Sequence, residues 1–275
     1  MELAWRSDIE KEINDWATVR YPNIPNLGDL TQLTALPEVD LITAGFPCQP
    51  VSQAGFKQGV DDERWLFDDI IELVGRMESR PYLFLENVPG LLTTGHGEPF
   101  RRVLHGLAAI GYVGRYGIVA AAQVGAPHLR KRWFCVAHPN KVGRHGRAGE
   151  SARRWRQSKN SGNTSANSNQ AGLQGPESEE RHNLSPWGAS SAPASHVAQF
   201  GRYWRAVDRW ERITGRRSPD PLLNGQLNAH FVEWMMGYDE GWVTSVGRRR
   251  PQIRALGNAV VPQQAAAAWG VFHGH

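Results

Sequence analysis

Cysteine is scarce in this chain, with only Cys48 and Cys135 among 275 residues. Two thiols cannot build a disulfide framework or a four-ligand zinc centre, and they suit a reducing, cytoplasmic compartment. No run of about 18 apolar residues is present, and no basic-then-apolar leader opens the chain. Neither a membrane span nor a signal peptide is therefore expected. Charge of one sign is not in great excess either: 31 Lys and Arg against 27 Asp and Glu leave +4, with a pI near 9.3. That balance permits a polyanionic partner without requiring one. No internal repeat is found. What is present is core material, 40% hydrophobic residues with 11 Trp. It suffices for one large domain, or for one domain carrying a smaller one.

Three kinds of text alternate. From Met1 to about Ala137 strands and helices follow each other. Ser7 to Glu10 reads as an S-x-x-E capping box ahead of Ile9, Ile13, Trp16 and Ala17 at helical spacing. "VDLITAGF" and "PYLFLENVPG" read as buried strands, the second stopping in a Pro-Gly turn. Leu66, Ile70, Leu73, Val74 and Met77 make a helical stripe over Arg64 to Met77. Phe100, Val103, Leu104, Leu107 and Ala108 make another, closed by Gly111. This rhythm predicts a parallel α/β sheet.

From His138 to about His196 the text is rich in Ser, Asn, Gly and Arg and has almost no apolar period, which reads as a flexible insertion. Order returns at "FGRYWRAVDRWERITGRR", where Tyr203, Val207, Trp210 and Ile213 or Thr214 fit one helix face. The tail ends in a turn feeding a helix with Pro262 near its first position.

Ligands of an open parallel sheet gather beyond the carboxyl ends of its strands. Asp8, Asp29, Cys48 and the pair Glu86-Asn87 fall at such ends. Singly, an acidic residue there is as often a turn former, and a lone cysteine is more often a small buried hydrophobe. Their joint occurrence on one edge favours a site.

"GFPCQPVS", then "LFLENVPGL", "AAQVGAPHLRKRWFCVA" and finally "ALGNAVVP" resemble the ordered motif series of DNA (cytosine-5)-methyltransferases, and in particular their phage and actinobacterial branch. The resemblance covers about Met1 to Ala137 and Leu227 to Ala268. It implies a Rossmann-like, S-adenosylmethionine-dependent methyltransferase sheet with a small variable target-recognition region. The implied boundaries are 1-137 for the catalytic core, 138-226 for insertion and recognition region, and 227-275 for the return to the core.

The resemblance also implies roles. Cys48 is the nucleophile that adds to carbon 6 of a flipped-out cytosine, a reaction suited to a thiolate, which both attacks and leaves well. Glu86 holds N3, while Arg130 and Arg132 hold Glu86, the base and its phosphate. Phe46 and Pro47 wall the base pocket, and Asn87 positions its loop. For S-adenosylmethionine, Asp8 with Ile9 takes the ribose, Asp29 with Leu30 the adenine, Leu66 packs nearby, and Asn258 with Ala259 reaches the methionine end. Double-stranded DNA is the implied partner, with a restriction endonuclease as a possible counterpart and a monomer as the favoured state.

Two departures stand out. His128 occupies a position where the family usually has Gln. The glycine-rich F-x-G-x-G of the family's first strand is not found, so that strand is expected to be missing. The alternative functional reading is an inactive remnant that still binds DNA or a partner. An unrelated small-molecule α/β enzyme with a nucleophilic cysteine shares too little of the motif series.

Overall fold

A computed structural model describes residues 2–47, 65–140 and 198–274. Helix α1 (Lys11–Arg20) comes first, and the capping box does not form ahead of it. Ser7 Oγ instead donates to Gly28 O at 2.7 Å, and Asp8 Oδ1 accepts from the Glu10 amide at 2.8 Å. A tertiary carbonyl outcompetes the local cap. Ile9 consequently lies outside the helix and is 72% exposed. The extended segment before α1 is held by a single parallel bridge, Arg6 to Asn26, rather than a full strand.

Strand β1 (Leu41–Gly45), helix α2 (Phe67–Gly75), strand β2 (Tyr82–Asn87), helix α3 (Glu98–Ala109), strand β3 (Tyr112–Ala120) and strand β4 (Lys131–Pro139) build the main layer. The sheet runs β1-β2-β4-β3. It is mixed: β1 and β2 are parallel, but β4 is antiparallel to both β2 and β3. The parallel expectation fails for β4 because the connection 121–130, which opens with a turn at 121–124, is too short for a crossover and joins β3 to β4 as antiparallel neighbours. Among the described residues β1 pairs only with β2.

Alternation along β2 fixes what each face sees. Leu83 and Leu85 point into a core shared with Ile71, Val74, Val103 and Trp133, beneath α2 and α3. The two helices touch closely at Gly106, where an added Cβ would lie 2.9 Å from Phe67. A buried ion pair between Asp68 and Arg102 links them. Helix α2 begins later than its apolar stripe suggests, with Leu66 as its N-cap and Met77 buried beyond its end. Gly111 ends α3 with φ +71, a conformation that favours glycine.

The C-terminal part comprises helix α4 (Trp204–Thr214), hairpin strands β5 (Leu222–Leu223) and β6 (Gln226–Leu227), and helices α5 (Ala229–Met235), α6 (Arg249–Asn258) and α7 (Pro262–His273). On α4, Val207 and Trp210 are buried and Thr214 is half-buried, so the stripe ends on Thr214 rather than the exposed Ile213, and Tyr203, just before the helix, is exposed. Val207, Trp210, Trp234, Met236, Leu256 and Val261 share a second core with Ala121 and Ala126 from the β3–β4 turn. Helix α7 starts with Pro262 in its first turn and covers the second face of the sheet, where Trp269 meets Phe84 edge-on at 5.5 Å. Among the described residues no helix is long and apolar enough to cross a membrane. Cys48 and most of the 138–196 insertion lie outside the described residues.

Candidate active site

The sheet register assembles the polar centre. Gly45, the last residue of β1, sits opposite Glu86 near the carboxyl end of β2. On the other side Glu86 is opposite Phe134 of β4. Arg132 is two residues before Phe134 and so shares its face, within diagonal reach of Glu86. Its Nε lies 3.0 Å from Glu86 Oε1, with side-chain exposures of 15% and 18%. A Cβ on Gly45 would stand 3.1 Å from Glu86 Oε2, so the glycine of G-F-P-C leaves room for the carboxylate.

Burial pushes Glu86 above the ordinary carboxylate value, opposed by the charges of Arg132 and Arg130. The result is a largely buried carboxyl group held beside a fixed cation.

Asn87 is buried and donates from Nδ2 to Phe46 O at 3.1 Å, while its Oδ1 accepts from the Val88 amide. This ties the end of β2 to the segment leaving β1. Phe46 is buried against Phe67 and Trp65, at 5.1 and 5.7 Å between ring centroids. Pro47, half-buried, is the last described residue before Cys48.

Arg130 behaves differently from Arg132. Its guanidinium bonds the carbonyls of Gly257, at 2.7 Å, and Ala259. Burial lowers it to about 10, helped by the neighbouring charge of Arg132. His128 Nε2 lies 3.1 Å from Met235 O; with a carbonyl as partner, that nitrogen carries the hydrogen. Burial keeps His128 below its ordinary value.

The other sequence-predicted residues are scattered around α1, α2 and α6. Asp29 caps a short turn, its Oδ1 accepting from the Thr31 amide and hydroxyl at 2.9 and 2.8 Å. Leu30 packs against the core. Leu66 is half-buried, and Asn258 is the exposed last residue of α6. A cleft of about 360 Å³ opens between α1 and α6, lined by Ile13, Trp16, Tyr238, Trp242, Ala255 and Ala259. Of the residues expected at the cofactor, only Ala259 lines it.

Sequence reasoning missed Glu233. This buried carboxylate accepts from the amides of Gly241, Val243 and Thr244 and from the Thr244 hydroxyl. The same loop presents Trp242 O to Trp16 Nε1 at 2.6 Å and to Arg20 Nε at 2.9 Å. Glu233 thus anchors the loop that seats α1. A lone acid inside the apolar stretch "FVEWMMG" was the available signal.

The mixed sheet, flanked by helices on both faces, is consistent with a Rossmann-like methyltransferase fold. The chain superposes on the S. pombe Dnmt2 methyltransferase with a TM-score of 0.55, at 17% identity, over 97% of this chain and 89% of that one. The family model of C-5 cytosine-specific DNA methylases matches residues 1–187, and the chain belongs to that family. It is 35% identical over 117 residues to the type II methyltransferase M.MspI of Moraxella sp, across 41% of this chain and 28% of that protein. It is 36% identical over 144 residues to M.DsaV of Dactylococcopsis salina, across 51% and 40%. The matched stretches thus span well under half of these curated relatives.

Proposed function

We propose that the chain is a DNA cytosine-5-methyltransferase that uses S-adenosylmethionine. The observation that carries this reading is the Glu86–Arg132 pair beside Gly45, at the strand end from which the segment Phe46-Pro47-Cys48 departs. Carbon 5 of cytosine is too weakly nucleophilic to take a methyl group unaided. The Cys48 thiolate adds to carbon 6, and Glu86 holds N3 by a hydrogen bond or proton, so electron density moves to carbon 5. Arg132 fixes the Glu86 carboxyl in place. The backbone of Phe46 and the half-buried Pro47 wall the base, while the Phe46 ring anchors in the core and Asn87 holds Phe46 O in place. Loss of the carbon 5 proton to water and departure of the thiolate then restore the ring.

The cofactor residues suit an adenosyl group chemically. Asp8 and Asp29 each use Oδ1 locally, while Oδ2 has no bond among the described residues, so each retains an acceptor for hydroxyl or amino donors. Exposed Ile9 and half-buried Leu30 and Leu66 offer apolar surface for a ring. Asn258 and Ala259 complete the set at the methionine end. S-adenosylmethionine, bound there, supplies an electrophilic methyl group.

Double-stranded DNA is the substrate, with the target cytidine turned out of the stack. Lys131, exposed beside Arg132 at the start of β4, supplies positive charge for phosphate contacts. Residues 1-137 and 227-275 form the catalytic core in this reading, and 138-226 include the recognition region. In this reading the chain acts in the cytoplasm, with a monomer as the favoured state and a restriction endonuclease as a possible counterpart.

The test is nucleoside mass spectrometry of unmethylated DNA incubated with the chain and S-adenosylmethionine. The expected product is 5-methyldeoxycytidine, formed about 10²- to 10⁴-fold more slowly by Glu86→Gln. N4-methylcytosine or methyladenine as product, or full activity of Glu86→Gln, refutes the proposal. DNA binding with no cofactor affinity supports the inactive alternative.

A further inference from the structure

Arg130 and Arg132 are two residues apart but serve different partners. Arg132 meets Glu86, whereas Arg130 donates to Gly257 O and Ala259 O, the last carbonyls around the end of α6. These carbonyls have no later turn of helix to bond, and a cation there also answers the negative end of the helix dipole. The chain turns out of the helix at Ala259, with φ −66 and ψ 164. One residue on, Val260 O accepts from Tyr238 at 2.7 Å.

The backbone of Arg130 is held from the opposite side. Gln264, fully buried on α7, donates from Nε2 to Arg130 O at 2.9 Å and to Val119 O at 2.7 Å. Arg130 sits at φ +24, a conformation that a non-glycine residue keeps only when its surroundings over-determine it. Its Nε is buried with no partner, so the side chain is placed for its two Nη2 bonds alone. With the Ala121 amide donating to Arg130 O at 3.2 Å, polar groups of the α6 end, α7 and the turn after β3 converge on one arginine.

We infer that Arg130 is a positioning residue that caps α6 and holds the Asn258–Ala259 turn in its cofactor-binding shape, independently of the Glu86–Arg132 pair. This rests on the reading of Asn258 and Ala259 as cofactor contacts. It separates two arginines that the motif series treats as one element: Arg132 belongs to the base side and Arg130 to the cofactor side.

The experiment compares the full chain with Arg130→Ala, Arg130→Lys and Arg132→Ala. Two quantities are measured: amide hydrogen exchange of residues 256–261 without ligand, and S-adenosylhomocysteine affinity by calorimetry. Arg130→Ala is expected to speed exchange at 256–261 and weaken the affinity about tenfold, the loss of charge-assisted bonds to backbone carbonyls. Arg130→Lys, which keeps the charge with a single donor point and supplies the test if the alanine variant fails to fold, recovers part of both. Arg132→Ala leaves exchange at 256–261 unchanged and alters the affinity less than twofold, a margin well inside one hydrogen bond. Unchanged exchange in both Arg130 variants, or affinities equal to that of Arg132→Ala, overturns the role of Arg130. If the unsubstituted chain shows no S-adenosylhomocysteine affinity while Arg130→Ala still loosens 256–261, the cofactor reading of Asn258 and Ala259 falls instead, and Arg130 is left as a cap of α6 with no part in cofactor binding.

Discussion

Replacing Arg132 by Met leaves Glu86 buried without its nearest cation, and the cost of that change should depend on pH in a defined direction. At 3.0 Å and an effective dielectric of about 20, the pair attracts by about 5 kcal/mol. The measured coupling is smaller, because an abandoned carboxylate escapes much of its penalty by taking up a proton. About 2 kcal/mol is expected at pH 8.

The sign follows from burial. Glu86 is raised above its ordinary value of 4.5 despite both arginines, so folding favours its protonated form. Its contribution to stability is complete below pH 4.5 and is lost as pH rises through the raised folded value. Arg132→Met removes an opposing influence, moves that value further up and deepens the loss. The substitution should therefore cost little near pH 4 and about 2 kcal/mol at pH 8. Urea unfolding of the unsubstituted chain, Arg132→Met, Glu86→Gln and the double variant at several pH values measures the coupling directly. A coupling that is equal at acidic and alkaline pH, or below about 0.5 kcal/mol at pH 8, refutes the reasoning.

Two further outcomes follow from the buried groups. The Cys135 thiol is pushed up to about 12 by burial, so a thiol reagent at pH 8 should consume no more than one of the two cysteines before unfolding and both afterwards; rapid reaction of both in the native chain contradicts the packing. Glu233→Gln keeps one acceptor oxygen of the two that hold loop 241–244, and should destabilise by about 1.5–3 kcal/mol with faster amide exchange at 241–244; unchanged exchange there contradicts its anchoring role.

Much of the centre of the fold was legible in the sequence because it obeys simple periods. The runs around Leu41–Gly45 and Tyr82–Asn87 are strands, and the stripes through Ile70 and Val103 are helices facing one core. β3 was not legible: only its end residues, Tyr112 and Ala120, are buried, so its apolar residues carry no burial pattern. β4 then enters between β2 and β3, and that alone makes the sheet mixed. The S-x-x-E signal misled because Ser7 finds Gly28 O, 21 residues away. Glu86 and Arg132 could be paired from motif order, but the partners of Arg130 are backbone carbonyls 127 and 129 residues distant. No side-chain pattern encodes such a contact.

The account rests on a bond between Cys48 and carbon 6 of cytosine, and trapping that bond tests it most directly. The chain is incubated with S-adenosylmethionine and duplex DNA containing 5-fluorocytosine, whose fluorine cannot leave as the carbon 5 proton does, and the product is resolved on a denaturing gel. The expected result is a protein–DNA adduct whose cross-linked peptide contains Cys48, absent with Cys48→Ala. An adduct formed by Cys48→Ala, or methylation of ordinary DNA by that variant, contradicts the account.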